Sequence, residues 1–300
     1  MKLKKVIFPS FIIALLTLSL YISYQKELKN LPSIFLDVLT KSFQKENTSF
    51  YKIDFVDLYI KSLKKNDSHF KINNSLNEDL SQVNKVLYNT EEPLFYIYNT
   101  HSSEEYSYTK NDVYNIVPNV KTASYILEEE LKKLGISSLV ESENTIDILN
   151  SKNMAYSMAY EVSRDLLETR RSEYDTITYF VDLHRDSVKR EATTTTIDGV
   201  SYAKVMFLLG LENPNYQENK KVLTKLNDYL NENYKGLSRG IYEKQGAGVN
   251  GVYNQDISPN VILIEVGGVD NTIEEVSNSL KVVANCLYNY LNSLKTTKTE

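Results

Sequence analysis

Ile177-Thr178-Tyr179-Phe180-Val181-Asp182-Leu183-His184 is an apolar run of strand length that finishes on a histidine. A second run has the same form: Leu94-Phe95-Tyr96-Ile97-Tyr98-Asn99-Thr100-His101. A third, Val261-Ile262-Leu263-Ile264-Glu265, ends on a carboxylate and is followed by Val266-Gly267-Gly268. Runs this short and rich in β-branched and aromatic residues read as buried strands. Lys204–Leu209 reads the same way, and Ser137–Val140 after Gly135 reads as a weaker strand. Helical patterns alternate with them at Val120–Leu134, Met154–Arg171, Gln217–Asn233 and Thr272–Leu294. Alternation of this kind predicts an α/β fold, a twisted and mainly parallel sheet flanked by helices, over residues 93–296.

The chain has 300 residues, 42% of them hydrophobic, enough for one sizeable core. Its net charge of −5 argues against a nucleic-acid binder, which would carry a basic face. Cys286 is the only cysteine, so no intrachain disulfide forms, and its place in an apolar helical pattern reads as core. At the amino terminus, Lys2, Lys4 and Lys5 precede an uncharged run from Val6 to Ile22. This predicts a signal anchor over residues 1–24, a transmembrane helix with its start in the cytoplasm and the rest of the chain outside. A cleaved signal peptide is the alternative; the small-residue pair it needs is not found after the run. Residues 25–92 are mixed and polar and read as a membrane-proximal stalk.

In open α/β sheets, ligands and catalytic groups gather beyond the carboxyl ends of the strands. Two imidazoles and a carboxylate delivered there by three strands suit a catalytic zinc site, which takes about three protein ligands and keeps one position open. A hydrogen-bonded structural role is the alternative for either histidine, because no local signature such as H-E-x-x-H accompanies them. The third histidine, His69, lies in a polar stretch and reads as surface. Arg185 and Asp186 follow His184 and read either as contacts to the imidazole or substrate, or as an ion pair. Arg239 and the stretch Asn254–Asp256 read as loop residues, able to bind a peptide or to form turns. Thr193–Thr196, preceded by Arg190, reads as a polar strand or loop with the makings of a lid. Gly246-Ala247-Gly248 reads as a flexible loop, since no helix start with Lys or Ser/Thr follows it to cradle a phosphate.

Six ordered segments carry a resemblance. They are Tyr98–Glu104, Val181–Asp186, Asn213–Asn219, Leu237–Gly240, Tyr253–Asp256 and Ile264–Gly268 with Asn271-Thr272 just after. Together they resemble the stage II sporulation protein P family over roughly Pro93 to Leu294. The resemblance implies a fold like that of zinc N-acetylmuramoyl-L-alanine amidases and a Zn2+ cofactor. It implies His101 and His184 as zinc ligands and Glu265 as the catalytic carboxylate. Glu104 matches the acidic residue of the first histidine motif and is the expected third ligand, with Glu105 and Glu128 as alternatives. The related amidases place a ligand Glu near positions 115–116, where this chain has Asn115 and Ile116. Arg185, Arg239, Asn254 and Asp256 are the expected substrate contacts. The chain departs from many relatives in lacking a histidine-aspartate pair ahead of the second zinc histidine. Val140-Glu141-Ser142 and Thr145-Ile146-Asp147-Ile148 stand there and are expected to line the groove.

The implied activity is cleavage of the bond between N-acetylmuramic acid and L-alanine in peptidoglycan, with endopeptidase action on stem cross-links as a further possibility. A wall-binding scaffold without chemistry is the alternative. The implied setting is the space around the forespore during engulfment, with the stage II sporulation protein D glycan-cleaving enzyme as partner.

Overall fold

The computed structural model describes residues 92–107 and 117–296. The expected anchor, almost all of the expected stalk, His69 and positions 115–116 lie outside the described residues. Among the described residues, no helix is long and apolar enough to cross a membrane.

Six strands form one sheet: β1 (Phe95–Tyr98), β2 (Ser138–Val140), β3 (Tyr179–Asp186), β6 (Val205–Gly210), β7 (Ser238–Lys244) and β8 (Val261–Gly268). Their order is β2-β1-β3-β8-β6-β7. All neighbouring pairs are parallel except β6 with β8, which is antiparallel. The mainly parallel sheet expected from the sequence is therefore present. Two further strands, β4 (Thr194–Ile197) and β5 (Val200–Ala203), make a separate hairpin. Its loop is Asp198-Gly199, both at positive φ, as a tight two-residue turn requires. The polar run expected to be a strand or loop is thus one arm of a hairpin whose Asp-Gly signal is plain in the sequence.

The helices are α1 (Val120–Lys133), α2 (Thr145–Ser151), α3 (Ala159–Glu173), the single turn α4 (Arg190–Thr193), α5 (Tyr216–Asn233) and α6 (Ile273–Thr296). A 3-10 turn, Tyr156–Met158, leads into α3. Helix α1 starts where Asn119 accepts from the Thr122 N–H and Thr122 caps back. It stops at Gly135, with φ of +76°, where Gly135 N–H donates to Lys132 and Ile136 N–H to Leu131. Those two bonds satisfy carbonyls the helix end would otherwise leave open.

Strand alternation sorts the sheet into two faces. On one, Tyr96, Tyr98, Phe180 and Val261 pack with Leu167 of α3. On the other, Val181, Phe207, Ile262 and Ile264 meet Leu226 and Leu230 of α5 and Val283, Cys286 and Leu287 of α6. Cys286 is buried there, as its helical pattern suggested.

Residues 145–151 form helix α2, started by Asn144, whose side chain accepts from Ile146 N–H. Two local readings need correction: Glu141 as a groove residue and Arg239 as a loop residue. Glu141 does not line a groove: it is buried, accepts from Tyr96 Oη at 2.7 Å, and pairs with Arg170 at 2.9 and 3.1 Å. Arg239 belongs to strand β7 and not to a loop. Its glycine neighbour and polar flanks hide the strand from a reading by hydrophobic alternation.

A buried amide chain joins two of the segments that carry the family resemblance. Gln255 accepts from Gly210 N–H and donates to Leu208 O, both at 2.8 Å, so it bonds to the last residues of β6 where pairing with β8 ends. Asn219 donates to Gln255 O at 3.2 Å and Ser258 O at 2.9 Å, and accepts from Asn213 at 2.8 Å. Replacing Gln255 with Ala orphans a buried donor and a buried acceptor. We expect a loss of about 3 kcal/mol in unfolding free energy, measured by urea denaturation.

Candidate functional site

Strands β3 and β8 run in step, with His184 opposite Glu265, so both side chains leave the sheet on the face covered by α3. Both residues lie inside their strands, which run two and three residues past them, and the register slips just after His184. Strand β1 stops at Tyr98, and buried Asn99 then ties its exit to its neighbours. Asn99 donates to Leu183 O at 2.6 Å and accepts from Ser124 Oγ at 3.1 Å, and its carbonyl accepts from Thr145 Oγ1 at 3.0 Å. Beyond it the chain turns at His101, with Glu104 N–H donating to His101 O at 3.1 Å. That turn folds the Glu104 carboxylate back between the two imidazoles. Oε1 lies 3.4 Å from His101 Nδ1, and Oε2 lies 3.5 Å from His184 Nδ1. The Arg185 N–H donates to Oε2 at 2.9 Å. The imidazole rings sit 5.0 Å apart and nearly perpendicular.

The two carboxylates of the site are held in opposite electrostatic states. Burial alone would raise Glu104, but hydrogen bonds from both histidines and from Arg185 N–H hold its carboxyl well below the usual range. Glu265 has no such help. Burial pushes it up to about 7, Glu104 and Asp186 add to the rise, and His184 and Lys244 oppose it. Its Oε2 is buried and without a hydrogen-bond partner among the described residues. His184 is buried too, yet Asp182 and Glu104 raise it well above its ordinary value.

The donor set fits a metal ion. One atom each from His101, Glu104 and His184 lies within 4.8 Å of the others. Each Glu104 oxygen approaches one imidazole nitrogen at about 3.4 Å, the edge length of a tetrahedron with zinc–ligand distances near 2.0–2.1 Å. Two neutral nitrogens and one carboxylate are ligands zinc accepts in catalytic sites. The lone thiol contributes nothing: Cys286 donates to Leu226 O in the helix-covered core, and burial pushes its pKa far up.

The competing carboxylates fall outside this set. Glu105 is exposed, and its backbone carbonyl accepts from Arg185 Nε at 2.8 Å. Glu128 sits on α1, held by the Val140 N–H. Of the expected substrate contacts, Arg185 is the nearest to the ligands through its backbone, while its guanidinium is tied to the Glu105 and Asp186 carbonyls. Arg239 Nη1 donates to Asp186 Oδ2 at 2.7 Å, which links β7 to the end of β3. Asn254 and Asp256 lock the 253–258 segment to α3. Asn254 is buried and donates to Tyr160 O and Ser163 Oγ, both at 3.1 Å. Asp256 makes a two-pronged pair with Arg164 at 3.0 and 2.9 Å.

Reading by motif missed three neighbours of the ligands. Asp182 Oδ1 is 2.9 Å from His184 Nε2. Its spacing of two residues from His184 on a strand, hence one face, was the available signal. Tyr156 stacks on His101 with ring centres 5.2 Å apart, and Tyr160 meets it edge-on at 5.6 Å. Tyr156 is 51% exposed, so it forms part of the rim. The i, i+4 spacing of these tyrosines puts them on one side of the chain, a pattern equally common in plain cores. The Gly267-Gly268 pair also has a steric reason. A Cβ on Gly268 would sit 2.4 Å from Val188 O, so only glycine lets the 188–193 segment close over the end of β8.

Glu265 is destabilising when ionised, because its pKa is higher folded than unfolded. The uncharged form therefore favours folding, and that advantage is lost as pH rises from about 4.5 through 7. In metal-free protein, Glu265→Gln should match the wild type near pH 4 and exceed it at pH 8 by roughly 3 kcal/mol. Urea denaturation at the two pH values measures this; equal differences at both would contradict the raised pKa of Glu265.

The family described as stage II sporulation protein P (SpoIIP) matches residues 25–288. The chain is 34% identical over 195 residues to stage II sporulation protein P of Bacillus subtilis (strain 168), covering 63% of this chain and 49% of that protein. It thus spans about half the length of that curated relative. Similarity to solved structures is weaker. The CwlD amidase from Clostridioides difficile in complex with the GerS lipoprotein is 11% identical, with a TM-score of 0.41, over 66% of this chain and 98% of that one. The N-acetylmuramoyl-L-alanine amidase AmiC2 of Nostoc punctiforme is 12% identical, with a TM-score of 0.37, over 66% and 97%. With a match across most of its length, this chain belongs to the stage II sporulation protein P family.

Proposed function

We propose that this protein is a zinc-dependent peptidoglycan hydrolase that cleaves the amide between N-acetylmuramic acid and L-alanine during sporulation. One observation carries the reading: half-buried Glu265, its Oε2 enclosed and without a hydrogen-bond partner among the described residues, stands on the same sheet face as the His101–Glu104–His184 donor set. A metal-ligand triad beside a free base of pKa near neutrality is what amide hydrolysis by water requires. The family membership supplies the sporulation context.

Zinc held by His101, Glu104 and His184 would supply Lewis acidity at the scissile carbonyl and make water a stronger acid. Glu265 Oε2 accepts the proton that the attacking water loses as its oxygen bonds to the carbonyl carbon. The same carboxyl then delivers that proton to the nitrogen as the C–N bond breaks. A group with a pKa of about 7 serves in both directions, as neither step is strongly uphill at neutral pH. Arg239 and Asp186, paired at the edge of the sheet beside the site, contribute polar contacts for the stem peptide, and Tyr156 forms an aromatic rim. The reading also places the chain in the mother-cell membrane through residues 1–24, facing the space around the forespore. There it would act beside the stage II sporulation protein D glycan-cleaving enzyme.

Mass analysis of fragments released from purified peptidoglycan tests the bond. Free stem peptides are expected; shortened cross-links would instead mark an endopeptidase, and no release would favour a wall-binding scaffold. His101→Ala and His184→Ala should lose both zinc and peptide release. Glu265→Gln should keep zinc and lose about 10²- to 10⁴-fold in turnover. Normal turnover in that variant would remove Glu265 from the mechanism.

A further inference from the structure

Asp182 is a carboxylate with no exposed surface, on a strand whose neighbours are otherwise apolar at that depth. Leaving a carboxylate there costs several kcal/mol unless every lone pair is engaged. Its partners are few and specific. Oδ1 lies 2.9 Å from His184 Nε2 and accepts from the Thr100 backbone N–H at 2.9 Å. Oδ2 accepts from Thr100 Oγ1 at 2.6 Å. Thr100 Oγ1 also lies 2.8 Å from Ser163 Oγ on α3. Thr100 immediately precedes His101. One buried carboxylate therefore stands against the imidazole of one ligand and holds the backbone and side chain next to the other.

From this geometry we infer that Asp182 is the positioning residue of the metal site, the group that presets both histidines before any ion arrives. The mechanism has two parts. His184 Nε2 lies at ion-pair distance from Asp182, so in the neutral ring a proton kept on Nε2 beside that carboxylate leaves the lone pair on Nδ1, the atom 3.5 Å from Glu104. A carboxylate behind a metal-bound imidazole sets its tautomer, its orientation and its basicity. Through Thr100, the same carboxylate also holds the start of the turn that swings His101 and Glu104 into place. Histidine ligands often gain such support from separate partners; in this chain one side chain serves two strands. The inference deepens the zinc-hydrolase reading and rests on His101, Glu104 and His184 being the ligands.

Two conservative variants of the full chain test it. Asp182→Asn keeps the shape and one acceptor but removes the charge. Thr100→Val keeps the charge and removes only the hydroxyl that donates to Oδ2. Zinc affinity is read by competition with a chromophoric chelator, and ligand geometry by the visible spectrum of the cobalt(II)-substituted protein. Thermal melting of the metal-free forms reports whether each variant folds. Asp182→Asn is expected to weaken zinc binding about 10- to 100-fold and to change the cobalt spectrum, and Thr100→Val to weaken it less. A folded Asp182→Asn protein with wild-type zinc affinity and an unchanged cobalt spectrum overturns the inference. Should Asp182→Asn fail to fold, a Thr100→Val protein that folds and binds zinc as tightly as wild type overturns it instead. Wild-type protein that binds zinc at His101 and His184 but releases nothing from peptidoglycan would defeat the hydrolase reading. An affinity loss in Asp182→Asn would, even then, support Asp182 as the residue that positions the ligands.

Discussion

Everything at the site depends on β1, β3 and β8 being neighbours that run parallel and in step. Parallel strands finish at the same edge, so whatever follows each of them is gathered without any further device. His184 and Glu265 face each other across a ladder rung, and His101 follows one short turn after β1. A slip of one residue in either pairing would send His184 or Glu265 to the opposite face, into the apolar contacts of α5 and α6. Register is therefore what the hydrophobic pattern of these strands protects. Tyr96, Tyr98, Phe180 and Val261 on one face and Val181, Ile262 and Ile264 on the other leave each strand one acceptable alignment.

Buried polar side chains then do what apolar packing cannot, which is to fix the exits of those strands. Asn99, Asp182, Asn219, Asn254, Gln255 and Asn271 are all buried, and each has specific partners. Most of them clip one chain segment to another that is distant in sequence. Several stand in the segments that carry the family resemblance. The resemblance is thus in large part a record of how the loops are tied down, and only in three or four positions a record of chemistry. Asn271 illustrates the point: its Oδ1 accepts from Gly268 N–H at 2.8 Å, and its amide donates to the Glu275 carboxylate at 2.9 Å. Glu275 in turn pairs with Arg190, which anchors the segment leading into the hairpin to α6.

The electrostatic division between Glu104 and Glu265 follows from the same geometry. Both are carboxylates in the same partly dry environment, yet Glu104 is surrounded by donors and Glu265 by almost none. Burial of a charge is tolerable only with partners, so one group stays ionised and the other moves toward neutrality. That contrast distinguishes the two carboxylates more firmly than position along the chain does. A fully partnered Glu265 would stabilise the fold more and accept a proton less readily.

Much of this was legible in the amino-acid string. Apolar runs of strand length and helix stops such as Gly135 are local signals, set by side-chain size and backbone sterics, and they survive into the structure nearly unmoved. His101, His184 and Glu265 could be picked out because each follows such a run. Strand β7 and the true boundaries of β3 and β8 could not, since a strand at a sheet edge or beyond an apolar run takes its pairing from its neighbour and not from its own composition. The roles of Asn254, Asp256 and Glu141 were decided only by contacts across 29 to 94 positions of sequence, which no local pattern encodes. Asp182 marks the boundary between the two kinds of knowledge. Its spacing from His184 places it on the right face, but that it also holds Thr100, 82 residues away, is a fact of tertiary structure alone.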